Sequence, residues 1–285
     1  MPQNLRDIRK RIGGIQKTQQ ITRAMKMVSA AKLNRAINAV VAARPYAGKI
    51  REVLGAVSSG LDEEVHPLLA VREPPRRLEV VVFVSDRGLC GAFNGNIIKR
   101  AEEIIVRRKP ELEAVTIVPV GRKAVDYFRR RGYGEIPRSW TGISRVTQDI
   151  AGEMAGFLME RYREEQVDEV VLVYSEFMSA LTQKPTEQTL LPVRPEVPGE
   201  LVHYEMEPDP ERLLGLLVTR AVEFTVFRAL LETQAGEHGA RMTAMESATN
   251  NTEELIRTLT LDYNKARQAA ITADLVEIVS GAEAL

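Results

Sequence analysis

MTAMESATNNTEELIRTLTLDYNKARQAAITA, residues 242–273, decides the fold. Met242, Met245, Thr249, Thr252, Ile256, Leu259, Tyr263, Ala266, Ala270 and Ala273 stand alternately three and four residues apart without slipping. That spacing is the seam of a left-handed coiled coil. A leucine–isoleucine seam would specify a stable homodimer. This one is small and partly hydroxylic, which suggests tight approach to a specific, non-identical partner helix.

Outward in both directions the helix continues. No proline follows Pro210, and only Gly215, Gly236, Gly239 and Gly281 weaken the run. An unbroken helix from Glu211 to Ser280 would be roughly 105 Å long. Its last stretch, AAITADLVEIVSGAEAL (269–285), is apolar on most faces. A solitary helix tip in water should not have that composition. Either it packs into a core or it sits in a sleeve formed by other chains, and the shorter partner helix favours the sleeve.

The partner is expected at the other end of the chain. Leu5, Ile8, Ile12 and Ile15 are spaced three, four, three; after a polar break the apolar positions resume at Met25, Val28 and Ala31. Pro45 is expected to kink or close this helix, with residues 46–57 continuing helically. Gly13 and Gly14 within it admit either a close backbone approach or a local weak point. Met1–Arg51 holds twelve Lys/Arg against one acid, Asp7, whereas Arg241–Leu285 holds four bases against seven acids. Lys/Arg and Asp/Glu balance at 39 each over all 285 residues, so the charge asymmetry is local. Opposite charge favours pairing of the two ends, modestly per exposed ion pair. A globular segment between them makes antiparallel pairing the simpler geometry.

That segment changes character. Leu78–Ser85 (LEVVVFVS) is a buried strand, followed by a turn at Asp86–Gly91 and a helix over 94–109. A strand at Val115–Val120, a helix at Arg122–Arg131 ending at Gly132, and an extended piece near Ile136 come next. A helix over 147–164, a strand at Glu169–Tyr174 and an extended stretch at Gln188–Val193 complete the unit. Apolar strands alternating with helices predict a small, mostly parallel, Rossmann-like sheet covered on both faces. The expected fold class is therefore α/β plus long helices: an antiparallel two-helix coiled coil from the terminal segments around a central α/β domain. The expected division is 1–57 helix, 58–77 linker, 78–195 α/β domain, 196–210 linker and 211–285 helix.

Little points to chemistry. Asp86-Arg87-Gly88-Leu89-Cys90-Gly91 stands where a nucleotide-binding fold puts its phosphate loop, yet neither G-x-G-x-x-G nor G-x-x-x-x-G-K-[ST] occurs. The glycines there suit a tight turn. Cys90, the single cysteine, excludes an internal disulfide; with His66, His203 and His238 all outside the α/β unit, it reads as a packed thiol and not a nucleophile. The histidines show no metal-ligand spacing. No cofactor is expected. Nor is a signal peptide, a transit peptide or a membrane-spanning segment. The basic first helix keeps nucleic-acid binding or a scaffold role as an alternative, though Arg9, Lys10 and Arg11 point in three directions.

Several stretches, taken together, make the chain resemble the gamma subunit of the F-type ATP synthase over essentially its whole length. They are IQKTQQITRAMKMV (15–28), SDRGLCG (85–91), Glu207-Pro208-Asp209-Pro210, ARMTAM (240–245) and YNKARQAAIT (263–272). The resemblance implies a central-stalk rotor. Its paired helices would turn inside a ring of three alpha and three beta subunits, coupling proton flow through the membrane c-ring to ATP synthesis or hydrolysis at the beta subunits. The implied partners are one such ring per copy of this chain, the small epsilon subunit and the c-ring, with no nucleic acid and no direct nucleotide binding. The chain itself would not be a catalyst. By position, the family's coupling contacts to beta fall on Met25, Arg241, Gln268, Thr272 and Asp274, the last often Glu in the family. Its c-ring contacts fall on Tyr204 and Glu207. Plastid members carry an inserted cysteine pair as a redox switch, which Cys90 alone cannot form. The resemblance thus implies a bacterial protein on the cytoplasmic face of the plasma membrane.

Overall fold

The computed structural model describes residues 5–58, 66–195 and 209–283. In chain order the elements are α1 (Leu5–Ser58), β1 (Arg77–Phe83), α2 (Phe93–Arg108), β2 (Ala114–Val120), α3 (Arg122–Arg131), α4 (Gln148–Arg163), β3 (Glu169–Phe177), β4 (Gln183–Leu191) and α5 (Pro210–Glu283). They group into two compact units, Met1–Ser29 with Met242–Leu285, and Ala30–Arg241.

The first unit is a pair of helices. Lys26 Nζ lies 2.7 Å from Glu246 Oε1, Thr22 Oγ1 2.8 Å from Thr249 Oγ1, and Arg9 Nη2 2.6 Å from Tyr263 Oη. Numbers fall along α1 as they rise along α5, so the two run antiparallel. On α5 the hydrophobic spacing is realised: Met245 and Thr249 are buried, and Met242, Thr252, Ile256, Leu259, Tyr263, Ala266 and Ala270 are half-buried. Ala273 alone of the expected seam is exposed.

On α1 the seam differs from the expected one. Leu5, Ile8, Ile12, Ile15, Gln19, Thr22, Lys26 and Ser29 form one unbroken three-four alternation of buried or half-buried positions. Val28 is 56% exposed, and Ala31 is exposed as well. The polar break is no break, because Thr22 satisfies its hydroxyl on Gln19 O (3.0 Å) and on Thr249, and Lys26 lays its stem on the seam with its ammonium on Glu246. A Cβ built at Gly13 or Gly14 would meet no atom within 4 Å among the described residues, so none of these packs closely against that side of either glycine.

The second unit contains the sheet, in the order β2-β1-β3-β4. The first three strands are parallel, with Val81 opposite Val118 and Leu172; β4 runs antiparallel to β3 at the edge. Alternate residues of β1 feed two cores. Val81 and Phe83 join Met154, Leu158 and Tyr162 of α4, Leu54 and Val57 of α1, and Leu214, Val218 and Val222 of α5. Leu78, Val80 and Val82 join Ile97, Ala101 and Ile104 of α2 and Phe128 of α3. Burial on both faces explains the continuous apolar run of this strand. Within it, Glu79 is fully buried, its Oε2 taking the Arg161 Nε–H (2.7 Å) and the Thr116 hydroxyl (3.1 Å). Burial raises its pKa, against the opposing pull of Arg161.

At three of the described positions a side chain would collide with its surroundings, among them Gly134, where a Cβ would lie 2.2 Å from Val115 O. Gly121, at φ +98°, would place a Cβ 2.2 Å from Val84 O. Gly236 on α5 would place one 2.8 Å from a ring carbon of Phe93, so a residue that weakens the helix is what lets α5 close on α2. Helix α1 runs through Pro45, whose exposed ring lies between the inward positions Ala43 and Ala47. The last strand begins at Gln183, earlier than the expected stretch over 188–193.

Candidate functional site: the exposed face of the helical pair

The turn after β1 is a closed structural knot. Ser85 N donates to Asn94 Oδ1 (2.9 Å), and the Asp86 carboxylate takes the backbone N–H groups of Arg122 and Gly142 (both 2.8 Å). Gly91 has φ +58°, the left-handed conformation a tight turn under α2 requires. Cys90 is buried, with Asn94 Nδ2 3.3 Å from its sulfur, as befits a packed thiol. The Gly88 carbonyl accepts a hydrogen bond from Arg241 Nη2 (3.1 Å).

Arg241 is therefore engaged within its own chain. It is 9% exposed, and its Nη1 also lies 2.7 Å from Glu237 Oε1 one turn earlier on α5. Beside it, the half-buried His238 has a buried Nδ1 without a hydrogen-bond partner among the described residues. Its pKa is lowered to about 4, chiefly by burial and then by the charges of Arg241 and Lys32.

The other expected contact residues are placed differently. Met25 is half-buried on α1; Gln268, Thr272 and Asp274 are exposed on α5. Tyr204 and Glu207 lie outside the described residues. Exposure is not confined to polar groups. On α1, Ile21, Met27 and Val28 face solvent, and on α5 Leu255, Leu261, Ile271, Leu275, Val276, Ile278 and Val279 do. Ile278 is 68% exposed and Met27 67%. Large apolar side chains in water at this density on one helical pair mark a surface made to be covered. Sequence periodicity identifies the α5 part of this surface; the α1 part is hidden, because Val28 there reads as seam.

Comparison with known proteins agrees with this arrangement. Residues 4–285 match the family model described as ATP synthase. The ATP synthase gamma chain of Anaeromyxobacter sp. (strain Fw109-5) is 50% identical over 291 residues, covering 99% of both chains. The chain belongs to the ATP synthase gamma-chain family. The gamma chain of Desulforamulus reducens is likewise 50% identical, over 98% of each chain. Among solved structures, a chain of the Tetrahymena thermophila mitochondrial ATP synthase central stalk/c-ring assembly superposes with a TM-score of 0.63 at 25% identity, covering 80% of this chain and 99% of that one. A chain of the Euglena gracilis mitochondrial ATP synthase rotor has the same fold, with a TM-score of 0.67 at 23% identity over 94% of this chain and 98% of that one. The comparisons give no support to the nucleic-acid or scaffold alternative. Among the described residues no helix is long and apolar enough to cross a membrane.

Proposed function

We propose that this chain is the central-stalk rotor of an F-type ATP synthase, coupling proton flow through a membrane c-ring to ATP chemistry in a ring of three alpha and three beta subunits. The carrying observation is the solvent-facing apolar surface of the first unit, on helices whose paired seam is already satisfied. In this reading alpha and beta subunits cover that surface. Met25, Gln268, Thr272 and Asp274 then contact the beta subunits directly, and Tyr204 and Glu207 meet the c-ring. The terminal segments 1–57 and 211–285 act as the turning element and 78–195 as the body beside the epsilon subunit.

Mechanistically the chain makes no bond. Different contacts at each angle of rotation would favour different conformers of the three beta subunits, and a difference in contact free energy between conformers is all that coupling requires. The complex would lie at the cytoplasmic face of a bacterial plasma membrane, with this chain held there through its neighbours.

Co-expression with cognate alpha and beta subunits tests the proposal. One copy of this chain per three beta subunits, with ATP turnover well above that of alpha and beta alone, is expected. Failure to associate, with turnover unchanged, overturns it.

A further inference from the structure

A second surface lies in the other unit. Helix α1 near Ile50, the end of β4 and helix α5 near Phe224 enclose a cleft of about 250 Å³. Ile50, Leu54 and Phe224 form its apolar walls, and Arg51, Arg194 and Arg228 line it. Arg51 and Arg194 are exposed; Arg228 is half-buried and held in place, its Nη2 2.8 Å from Gln188 Oε1 and 3.0 Å from Tyr174 Oη. Among the described residues none of the three arginines has a carboxylate partner, although the neighbouring Arg220 is paired with Glu223. Three guanidinium groups around one cleft, without a carboxylate partner among the described residues, create a local positive potential. Strand β4 is the edge of the sheet, and its Gln188, Thr189 and Leu190 border the cleft. An edge strand offers main-chain donors and acceptors to an extended segment.

We propose that this cleft docks an acidic, extended segment of another subunit of the complex. Its carboxylates meet Arg51, Arg194 and Arg228, and its apolar side chains enter between Ile50, Leu54 and Phe224. The proposal rests on the reading of this chain as one subunit of the ATP synthase assembly. A free phosphate or small carboxylate would neutralise the arginines and leave the apolar walls and the strand edge in water. A protein segment of mixed acidic and apolar character satisfies all three, as interfaces with an apolar centre and a charged rim do.

Zero-length crosslinking of the purified, assembled complex tests this. Arg51→Lys and Arg194→Lys keep the charge and supply amines, which a water-soluble carbodiimide joins to any carboxylate in contact. The Lys26–Glu246 pair, 2.7 Å apart, is the internal control in the same sample. Co-purification of this chain with alpha and beta subunits is scored first, and its absence overturns the functional reading and the docking proposal with it. In an assembled complex, crosslinks from positions 51 and 194 to Asp or Glu of one other subunit are expected. Charge reversal, Arg51→Glu with Arg194→Glu, should then weaken retention of that subunit by about tenfold. Crosslinks only to acids of this chain itself, such as Glu196 or Glu200, or no crosslink beyond the control, overturn the docking proposal and leave the functional reading standing. Inorganic phosphate at millimolar concentration abolishing the crosslinks without displacing any subunit would show an anion site and overturn it as well.

Discussion

Arg241→Ala should destabilise the isolated chain, whether or not a partner is present. The substitution removes the ion pair with Glu237, whose side chain is 19% exposed, and the hydrogen bond to the Gly88 carbonyl. A hydrogen bond to a charged group contributes about 1.5–3 kcal/mol, and the partners left behind bear a desolvation penalty. Both sites retain some access to water, so the expected loss is about 2–4 kcal/mol, a large fraction of the ~5–15 kcal/mol that holds a domain together. Arg241→Lys keeps the pairing with Glu237 and gives up the reach to the turn, for a loss of about 1 kcal/mol. Trp140, the single tryptophan, lies half-buried in the same unit, so its fluorescence during urea titration reports on this unit and not on the helical pair. With a slope of about 2 kcal/mol/M, the Arg241→Ala midpoint should fall by about 1–2 M. A midpoint unchanged within about 0.2 M, together with loss of ATP turnover in the assembled complex, would refute the reasoning. Arg241 would then act on a partner and not on the turn after β1.

Three further outcomes follow from the same geometry. His238 has a folded-state pKa of about 4 against 6.5 when unfolded, so its contribution to stability is complete above pH 6.5 and lost as pH falls through 4. His238→Gln should flatten that part of the pH–stability curve relative to the parent chain, and an NMR titration midpoint for His238 near 6.5 would contradict the assignment. At the helical seam, Thr22→Val and Thr249→Val should each cost about 0.5–1.5 kcal/mol, while the double substitution costs less than their sum; strictly additive losses in a double-mutant cycle would mean the hydroxyls do not meet. Ile271→Ser with Leu275→Ser should leave the stability of the isolated chain within about 0.5 kcal/mol, because both side chains are exposed, yet impair assembly with alpha and beta subunits; a marked loss of chain stability would show that the tip packs within the chain.

Much of this fold is readable in the sequence wherever periodicity and burial coincide. The α5 seam from Met242 to Ala270 follows its hydrophobic spacing, and the doubly buried β1 follows its apolar run. Legibility fails where polar groups do apolar work. Gln19, Thr22, Lys26 and Ser29 occupy the α1 seam, Thr22 through its hydroxyl contact with Thr249 and Lys26 through its aliphatic stem, so the apolar Val28, one position away, draws the register astray. Strand β4 begins with Gln183-Lys184-Pro185-Thr186-Glu187, a half-exposed edge that neither alternation nor apolar content reveals. Arg241 belongs to the same class. Nothing in its neighbourhood along the chain indicates that its guanidinium turns back to residues 87 and 88, because that contact exists only once α5 packs on the α/β body. The exposed apolar tip, by contrast, is visible as an anomaly in the composition of residues 269–285, and it remains one in the folded chain.

The central claim is rotation, and a direct observation of it is the decisive measurement. The chain would carry a reporter bead on an exposed position of the α/β body, within a complex whose alpha and beta subunits are fixed to a surface. On adding ATP, the account predicts continuous rotation of the bead in one direction, stopped by removal of nucleotide. Sustained ATP hydrolysis by a complex containing this chain, with the bead held at a fixed angle, would contradict it.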